Sequence, residues 1–464
     1  MKQINKLKIT LFTIGVISLT GCNKIKDFGN TNVNPGDIST PATYAILTGV
    51  EAGIANWAIN GNGQIWIQYF AESQYPGTGL YAIPRFGFAG NYTGQLLNLR
   101  TIIQANNNPD EVAVARILTQ YIYWNMTDQW GDIPYSQALQ GIIPVYDKQM
   151  DIYKGIITEL KAAKSQFVNS GSLKGDILNN GNITKWKKFA NTIRLVMALR
   201  LSKKYPGASE YAATEFKAAL ADGVIDNNGD NTQLVYPGGN FKNPYFINHE
   251  SNRDDGEAQT IYNILNGFGD GRRAAFGSSN TAVPFGISEA DINDWIKNNV
   301  NWARALADNQ RLETSPVVLM NASQAYLARA EAADRGWTTE DAGAMLQQGV
   351  NASFAQWNLS APPASYFTQT GVVLGAPGTN LKQIATQRYL AAFPDGQQGW
   401  SEWRRTGFPV LGVAPAPINP AHVTIPRRYT YSQGEKDLNP AGLAGAITNL
   451  PGGDLQESRV WWDQ

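Results

Sequence analysis

Apolar residues recur at helical spacing along most of this 464-residue chain. Side chains three and four residues apart share one face of an α-helix, so this period predicts amphipathic helices. Strand signals are weak and are confined to a short stretch at 233–236. The sequence therefore predicts an all-α-dominated fold with little β-structure. The predicted helices lie at 40–60, 63–71, 92–106, 109–130, 147–168, 184–204, 258–267, 288–298, 316–335, 340–357 and 380–393.

Long loops separate several of these helices, at 74–91, 222–256 and 407–437. Helix pairs with scattered Trp, Leu, Tyr and Ala positions suggest a tetratricopeptide-type α-solenoid, although no clean repeat period aligns. Long loops on a packed helical scaffold are where proteins commonly build binding surfaces. No Pro/Ser-rich tract or charge block divides the chain, so residues 40–464 are predicted to form a single helical ligand-binding domain.

Cys22 is the only cysteine of the chain, so the fold must be stabilised by a large packed core rather than by disulfides. It follows a lysine-containing start, an apolar run at 9–19 and the dipeptide Thr20-Gly21. The run is too short to span a membrane, and small residues before a lone cysteine resemble a bacterial lipobox. We predict a cleaved signal peptide at 1–21, lipid attachment at Cys22 and a tether at 22–39. The alternative is an ordinary secretory signal with an incidental cysteine.

The charges of the chain balance, with 38 Lys and Arg against 38 Asp and Glu. They form no polybasic stripe, which makes nucleic acid and anionic lipid poor candidate partners. After the leader, no segment reaches the ~18 uninterrupted apolar residues that a membrane-spanning helix needs. The predicted attachment to a membrane therefore depends on the acyl chains at Cys22.

Several motifs spread over the chain carry a resemblance to a known family. They lie at 127–136 (TDQWGDIPYS), 144–147, 323–337, 384–390, 400–407, 425–429 and 461–463. Together they resemble the motifs of SusD/RagB-type outer-membrane nutrient-binding lipoproteins. The resemblance implies a helical tetratricopeptide scaffold decorated with loops, lipid-anchored in the outer membrane of a Gram-negative bacterium and facing the extracellular side. It also implies a SusC-like TonB-dependent β-barrel transporter as partner.

The same motifs also have a packing explanation. Trp124, Trp130 and Tyr135 stand where a helix is predicted to end, and aromatic residues at such positions usually pack in the core. Arg404 and Arg405 suggest an anionic ligand, but buried pairing with nearby carboxylates explains them at least as well.

The sequence offers few groups for catalysis. His249 and His422 are the only histidines, and no nucleophile, phosphate-binding or zinc motif accompanies them. The oxygen-rich stretches 226–231 and 248–255 do not match the spacing of an EF-hand, which favours solvated turns over calcium sites. We predict a protein without enzymatic activity, cofactor or metal. A surface glycan hydrolase stays an alternative, because a glycosidase needs only two suitably spaced carboxylates.

Aromatic residues are abundant, with 13 Trp, 20 Tyr and 17 Phe, and several fall in predicted loops. Flat rings stack on the apolar faces of sugar rings, while amides and Arg satisfy the hydroxyl groups. We therefore predict that the protein binds oligosaccharide or polysaccharide and delivers it to the transporter. A peptide or another nutrient is the alternative ligand, and packing of loops on the scaffold is the alternative role of any single ring. The candidate ligand-binding residues are Tyr75, Tyr81, Arg85, Phe86, Tyr245, Phe246, Arg253 and Trp295.

Overall fold

Helices form most of the chain between Thr43 and Thr448, and a few short strands lie among them. The structure, a computed structural model, describes residues 42–82, 86–141, 143–169, 171, 173–251 and 254–464. Residues Thr43–Gln464 make one compact unit. The predicted helical, strand-poor fold is confirmed.

The first half of the chain alternates long helices with short elements. These are α1 (Thr43–Ile59), α2 (Gly61–Trp66), β1 (Phe70–Glu72), α3 (Ala89–Asn91), a π-helical turn (Tyr92–Leu96), α4 (Leu97–Ala105), α5 (Pro109–Trp130), α6 (Gln149–Gln166), α7 (Ile183–Arg200), a 3-10 turn (Leu201–Lys203), α8 (Tyr211–Ala221), a 3-10 turn (Asn228–Asp230) and β2 (Thr232–Leu234).

The second half continues the same pattern with more short helices. These are α9 (Pro244–Ser251), β3 (Asp255–Glu257), α10 (Gln259–Gly267), α11 (Arg273–Phe276), α12 (Glu289–Asn298), β4 (Val317–Met320), α13 (Ala322–Asp334), α14 (Ala342–Gln356), a 3-10 turn (Ala364–Phe367), α15 (Leu381–Ala392), α16 (Gly396–Thr406), α17 (Gln433–Leu438), α18 (Pro440–Thr448) and a 3-10 turn (Trp461–Asp463).

Local sequence signals explain where the longest helix, α5, begins and ends. The Asn108 side chain accepts hydrogen bonds from the backbone N–H groups of Asp110 (2.9 Å) and Glu111 (3.4 Å), and Pro109 occupies the first helical position. These are favourable helix-start residues. The helix ends at Gly131, whose φ of +91° suits glycine and strains other residues. The predicted helix at 109–130 therefore has the observed limits.

Helices that follow one another in the chain pack against each other. The helix α5 packs on α6, α7 packs on α8, and α13 packs on α14, while α15 packs beside α13 and α16 packs on α15. This succession of paired helices is the tetratricopeptide-type arrangement that the sequence predicts, and it is confirmed. It leaves the long connections free to cover the scaffold and to form pockets.

Two small antiparallel sheets connect distant parts of the chain. Strand β1 pairs with β3, with Phe70 opposite Glu257, and β2 pairs with β4, with Thr232 opposite Met320. The second sheet corrects the prediction of a helix at 316–335, because the first residues of that range form strand β4 instead. Helix α13 begins only after Asn321, whose side chain and backbone form a capping box with Gln324.

A buried ionic network joins the second half of the chain to the first half within the core. The Arg405 guanidinium contacts Glu331 at 2.6 Å and Glu402 at 2.8 Å, and Arg200 contacts both Glu402 at 3.1 Å and Asp128. Burial alone would raise the pKa of Glu331, but the guanidinium groups, first that of Arg405, lower it to about 2. Arg405 is therefore a structural partner of carboxylates.

Arg404 uses different partners from its neighbour. It donates hydrogen bonds to the backbone oxygens of Asp128 (2.7 Å) and Arg427 (2.8 Å), and it lies over the ring of Trp400 at 3.7 Å. Both arginines are almost completely buried. The packing interpretation of this motif agrees with the structure, whereas an anionic ligand could not reach either guanidinium without opening the core.

Candidate functional site

An open pocket of about 450 Å³ lies between the end of α1, the π-helical turn and the end of α5. Its wall combines aromatic rings with side-chain amides. We call it the amide pocket. Its lining residues with functional side chains are Asn56, Trp57, Asn60, Asn62, Phe86, Asn91, Gln95, Gln129, Trp130 and Tyr429.

The end of α5 positions the aromatic wall of the amide pocket. Trp130 is the last residue of that helix, and its indole N–H donates to the backbone oxygen of Phe86 at 3.1 Å. The Tyr429 ring lies 5.1 Å from the ring of Phe86 and 5.1 Å from that of Trp130, at interplanar angles of 55° and 67°. These contacts hold the loop that carries Phe86 against the scaffold.

The rings of the wall differ in what they offer to a ligand. Phe86 keeps 43% of its surface exposed, whereas Trp130 and Tyr429 keep 3% and 5%. Phe86 is therefore the ring with a face available for stacking, and the other two support it from below. Trp57 is also largely buried, and its indole N–H donates to Oε1 of Gln95 at 3.0 Å.

The amides around these rings are held by hydrogen bonds to one another. Oδ1 of Asn60 accepts from the Tyr429 hydroxyl at 2.6 Å, and Nδ2 of Asn60 donates to Oε1 of Gln397 at 2.7 Å. The Gln129 amide donates to the same oxygen at 2.8 Å, and Asn62 donates to the Tyr429 hydroxyl at 3.2 Å. A network of this kind fixes the orientation of polar groups before a ligand arrives.

The described lining of the amide pocket is electrically neutral. Its lining residues, as far as the structure describes them, carry no charged side chain. Burial raises the pKa of Tyr429 to about 12, even though the hydrogen bonds that its hydroxyl makes with Asn62 and Asn60 act in the opposite direction. The hydroxyl therefore stays protonated at physiological pH. Neutral donors and acceptors beside an exposed ring suit an uncharged, hydroxyl-rich ligand better than an ionic one.

Of the three candidate residues of the 74–91 loop that the structure describes, Tyr75, Tyr81 and Phe86, only Phe86 lines the amide pocket. Tyr75 is 74% exposed elsewhere on the surface. Tyr81 is fully buried, its hydroxyl accepts from the backbone N–H of Ala414 at 2.8 Å, and burial raises its pKa to about 12. The Tyr81 ring has no exposed face for a sugar, so its position corrects the expectation of a surface ring. Arg85 lies outside the described residues.

The remaining candidate ligand-binding residues lie apart from one another and contact different partners. Tyr245 is largely buried, and its hydroxyl accepts from Nε2 of Gln64 at 2.6 Å. Phe246 lies beneath Lys242, whose Nζ is 5.0 Å from the ring centre, and Trp295 is half-buried against the core. Arg253 and Cys22 lie outside the described residues. The candidate rings thus form no single platform: loop packing accounts for Tyr81, and Tyr245 lines a separate cavity.

The sequence interpretation missed most of the amide pocket. Gln129 and Trp130 belong to the 127–136 motif and Tyr429 ends the 425–429 motif, but only Trp130 was assigned a role, and that role was packing. Trp130 does pack, as expected, yet it also lines the pocket. The signal that could have identified the site was the amide of Gln129 beside the ring of Trp130 in the 127–136 motif.

The oxygen-rich turn at 226–231 is occupied by a cation of the protein itself. Nζ of Lys188 lies 2.7 Å from Oδ1 of Asp226 and 2.7 Å from Oδ2 of Asp230. Within the ranges that the structure describes, no group of three or more His, Cys, Asp or Glu side chains is arranged to hold a metal ion. Among the described residues, no helix is long and apolar enough to cross a membrane.

Comparison with known proteins agrees with this architecture. A family model described as "Starch-binding associating with outer membrane" matches residues 32–432, which is most of the chain. This chain belongs to the SusD-like family. Proteins of the SusD-like family are non-catalytic binding proteins, which agrees with the prediction that this one is not an enzyme. No curated protein matches the chain.

Solved structures of other SusD homologues have the same fold. A SusD homologue of Bacteroides fragilis matches with a TM-score of 0.80 at 22% identity, over 91% of this chain and 100% of its own. A chitin-binding SusD homologue of Flavobacterium johnsoniae matches with a TM-score of 0.78 at 26% identity, over 90% and 97%. A further chitin-binding protein matches with a TM-score of 0.77 at 26% identity, over 91% and 99%.

Proposed function

We propose that this SusD-like protein binds a neutral oligosaccharide in the amide pocket at the cell surface and delivers it to a SusC-like TonB-dependent transporter. The observation that carries the proposal is the combination of one exposed ring, Phe86, with a surrounding set of uncharged amides. A pyranose presents an apolar C–H face and a polar rim. The ring suits the face, and the amides suit the hydroxyl groups at the rim.

The neutral lining favours a sugar over a peptide. A peptide ligand presents backbone amides and, at its ends, charged groups that are usually recognised by opposite charges. The amide pocket offers no such charge among its described lining residues. Failure of sugars to bind in a titration would therefore favour the alternative ligand, a peptide or another nutrient.

Chito-oligosaccharides are the first ligands that we propose for testing. Two of the structures similar to this chain, both at 26% identity, are described as chitin-binding. The acetamido group of each chitin unit offers one donor and one acceptor, and it would match the paired functions of side-chain amides such as Asn62 and Gln95. Starch fragments are the second choice, because the description of the family names starch.

Attachment to the outer membrane completes the proposed function. The lipobox-like sequence ending at Cys22 supports acylation there, and the description of the family includes association with the outer membrane. Several acyl chains would keep the binding domain beside a transporter in the same membrane, which raises the local concentration of captured ligand.

Calorimetric titration of the purified domain with chitohexaose tests the ligand site. We expect Phe86→Ala to weaken binding roughly tenfold, equivalent to ~1.4 kcal/mol, because it removes the exposed stacking ring. Tyr44→Ala is the matched control, because Tyr44 is also an exposed aromatic residue, at 49%, but does not line the pocket. Equal affinities of wild type and Phe86→Ala would contradict the proposal.

A further inference from the structure

A second cavity lies inside the protein, between the end of α1, strand β4 and the loop that joins α15 to α16. Its volume is about 120 Å³, and we call it the inner cavity. Pro316 and Asn358 are exposed lining residues, so the cavity opens to solvent on their side. Its deeper lining residues include Asn243, Tyr245, Gln310, Asn321, Trp357 and Asp395.

Two polar atoms of the inner cavity lining are buried without a hydrogen-bond partner. They are the indole N–H of Trp357 and the Oδ2 oxygen of Asp395. Trp357 is only 8% exposed and Asp395 only 7%. Buried polar groups are nearly always hydrogen-bonded, because an unsatisfied one loses its interactions with water and gains nothing in return. A donor and an acceptor that are both unsatisfied among the lining residues of one cavity therefore point to a ligand with polar groups of its own.

The surrounding structure holds both residues in place. The other carboxylate oxygen of Asp395, Oδ1, caps α16 by accepting from the backbone N–H of Gln398 at 2.8 Å. The backbone oxygen of Trp357 accepts from Nε2 of Gln310 at 3.2 Å, and its ring lies 5.4 Å from that of Phe276. These contacts limit the freedom of either side chain to turn away and find a partner elsewhere.

Hydroxyl groups match both atoms chemically. A hydroxyl can accept from an indole N–H and can donate to a carboxylate, and a sugar ring carries several of them. Burial raises the pKa of Asp395 to about 8. A neutral carboxyl can still accept through its carbonyl oxygen, so a hydroxyl satisfies the site in either protonation state.

The size of the inner cavity suits a single ring rather than a chain. An engineered cavity of ~150 Å³ in another protein binds benzene. The inner cavity is somewhat smaller at about 120 Å³, but it is open at Pro316 and Asn358, where part of a ring can project into solvent. The side chains of Asn243 and Gln310 also line the cavity.

We propose that the inner cavity is a second ligand site, which binds one hydroxyl-bearing sugar ring, either a monosaccharide or the end unit of a glycan. The hydroxyl groups of this ring satisfy Trp357 and Asp395. The inner cavity and the amide pocket share no lining residue. This inference therefore does not rest on the amide pocket being the oligosaccharide site.

Nuclear magnetic resonance of the indole N–H groups tests the proposal on the intact domain. The resonance of Trp357 is assigned by its absence in Trp357→Phe. We expect titration with glucose or N-acetylglucosamine to move this resonance in a saturable way, and Trp357→Phe to weaken monosaccharide binding about tenfold. Asp395→Asn, which retains an oxygen for the helix cap, should weaken binding similarly.

Trp337→Phe is the matched control for the loss of an indole. Trp337 is also buried, at 2% exposed, but its N–H already donates to the backbone oxygen of Pro206 at 2.9 Å and it does not line the cavity. We expect this variant to keep wild-type monosaccharide binding.

Three results would overturn the proposal. The first is a Trp357 resonance that does not respond to saturating monosaccharide. The second is a crystal structure, grown with the monosaccharide, in which ordered water alone satisfies both atoms. The third is a response that disappears in Phe86→Ala, since it would then be transmitted from the amide pocket. Failure of chitohexaose to bind the amide pocket would leave the Trp357 response unaffected, so the two proposals fail separately.

Discussion

Removing the charge of Glu331 should destabilise the protein strongly. Glu331 is 1% exposed, and its two oxygens accept from the Arg405 guanidinium at 2.6 Å and 2.6 Å. Breaking a buried ion pair by removing one partner typically costs ~3–5 kcal/mol, because the other charge stays buried. In Glu331→Gln, Arg405 keeps Glu402 at 2.8 Å. We therefore expect a loss at the lower end, about 3 kcal/mol.

Urea unfolding followed by circular dichroism measures this loss, provided that both proteins unfold with the same dependence on urea. Asp294→Asn is the control, because Asp294 and its partner Lys297 form an ion pair at 3.0 Å whose side chains are 75% and 73% exposed. Exposed pairs contribute ~0–1 kcal/mol. A loss for Glu331→Gln that is no larger than the loss for Asp294→Asn would refute the structural role of the network.

The pH dependence of stability provides a second measurement of the same network. The pKa of Glu331 is about 2 in the folded protein against an ordinary value of 4.5. The stabilisation by its ionised form is therefore fully present above about pH 4.5 and is lost as the pH falls towards 2. We expect Glu331→Gln to flatten the decline of stability over this range relative to wild type.

The remaining predictions concern the candidate rings and the anchor. Tyr81→Ala should cost ~3–5 kcal/mol of unfolding free energy, as for other large buried aromatic side chains, and should leave the affinity for chitohexaose unchanged in the folded fraction. Trp295→Ala, at a half-buried ring, should have a smaller effect on stability, and a loss of binding in this variant would return Trp295 to the ligand site. Cys22→Ser should release the protein from membranes, which fractionation after a high-salt wash measures; retention in a strain without the transporter would contradict acylation at Cys22.

The long helices could be predicted because residues at their own ends determine where they begin and end. The cap at Asn108, the proline after it and the glycine at 131 specify α5 without any tertiary contact. Helix α16 could not be recognised in this way. Gln397, Glu402 and Arg405 are buried there by hydrogen bonds and ion pairs, so the helix lacks the apolar period on which the prediction depends.

Strand β4 shows a different limit. The apolar run Val317–Met320 fits either a strand or the start of a buried helix, and its pairing with β2 decides the outcome. The capping residues Asn321 and Gln324 were visible in the sequence and could have located the start of α13. Helix α8 is not among the predicted helices, and it lies just before the predicted loop at 222–256.

The amide pocket was predictable only in its chemistry. An abundance of aromatic residues in loops suggested sugar binding, and Phe86 was among the residues proposed. The partners of Phe86 could not be found, because the pocket joins residues far apart in the chain: Tyr429 bonds to Asn60 across 369 positions. Tyr81 shows the converse, since a loop residue beside glycines and prolines can turn into the core.

A crystal structure with bound chitohexaose tests the central claim most directly. We predict electron density for the sugar in the amide pocket, with one pyranose ring against Phe86 and hydroxyl or acetamido groups hydrogen-bonded to Asn62, Gln95 or Gln129. The same crystals grown from Phe86→Ala should show this density weakened or absent. An oligosaccharide bound elsewhere, for example along the exposed loop at Tyr75, with the amide pocket holding only water, would contradict the account.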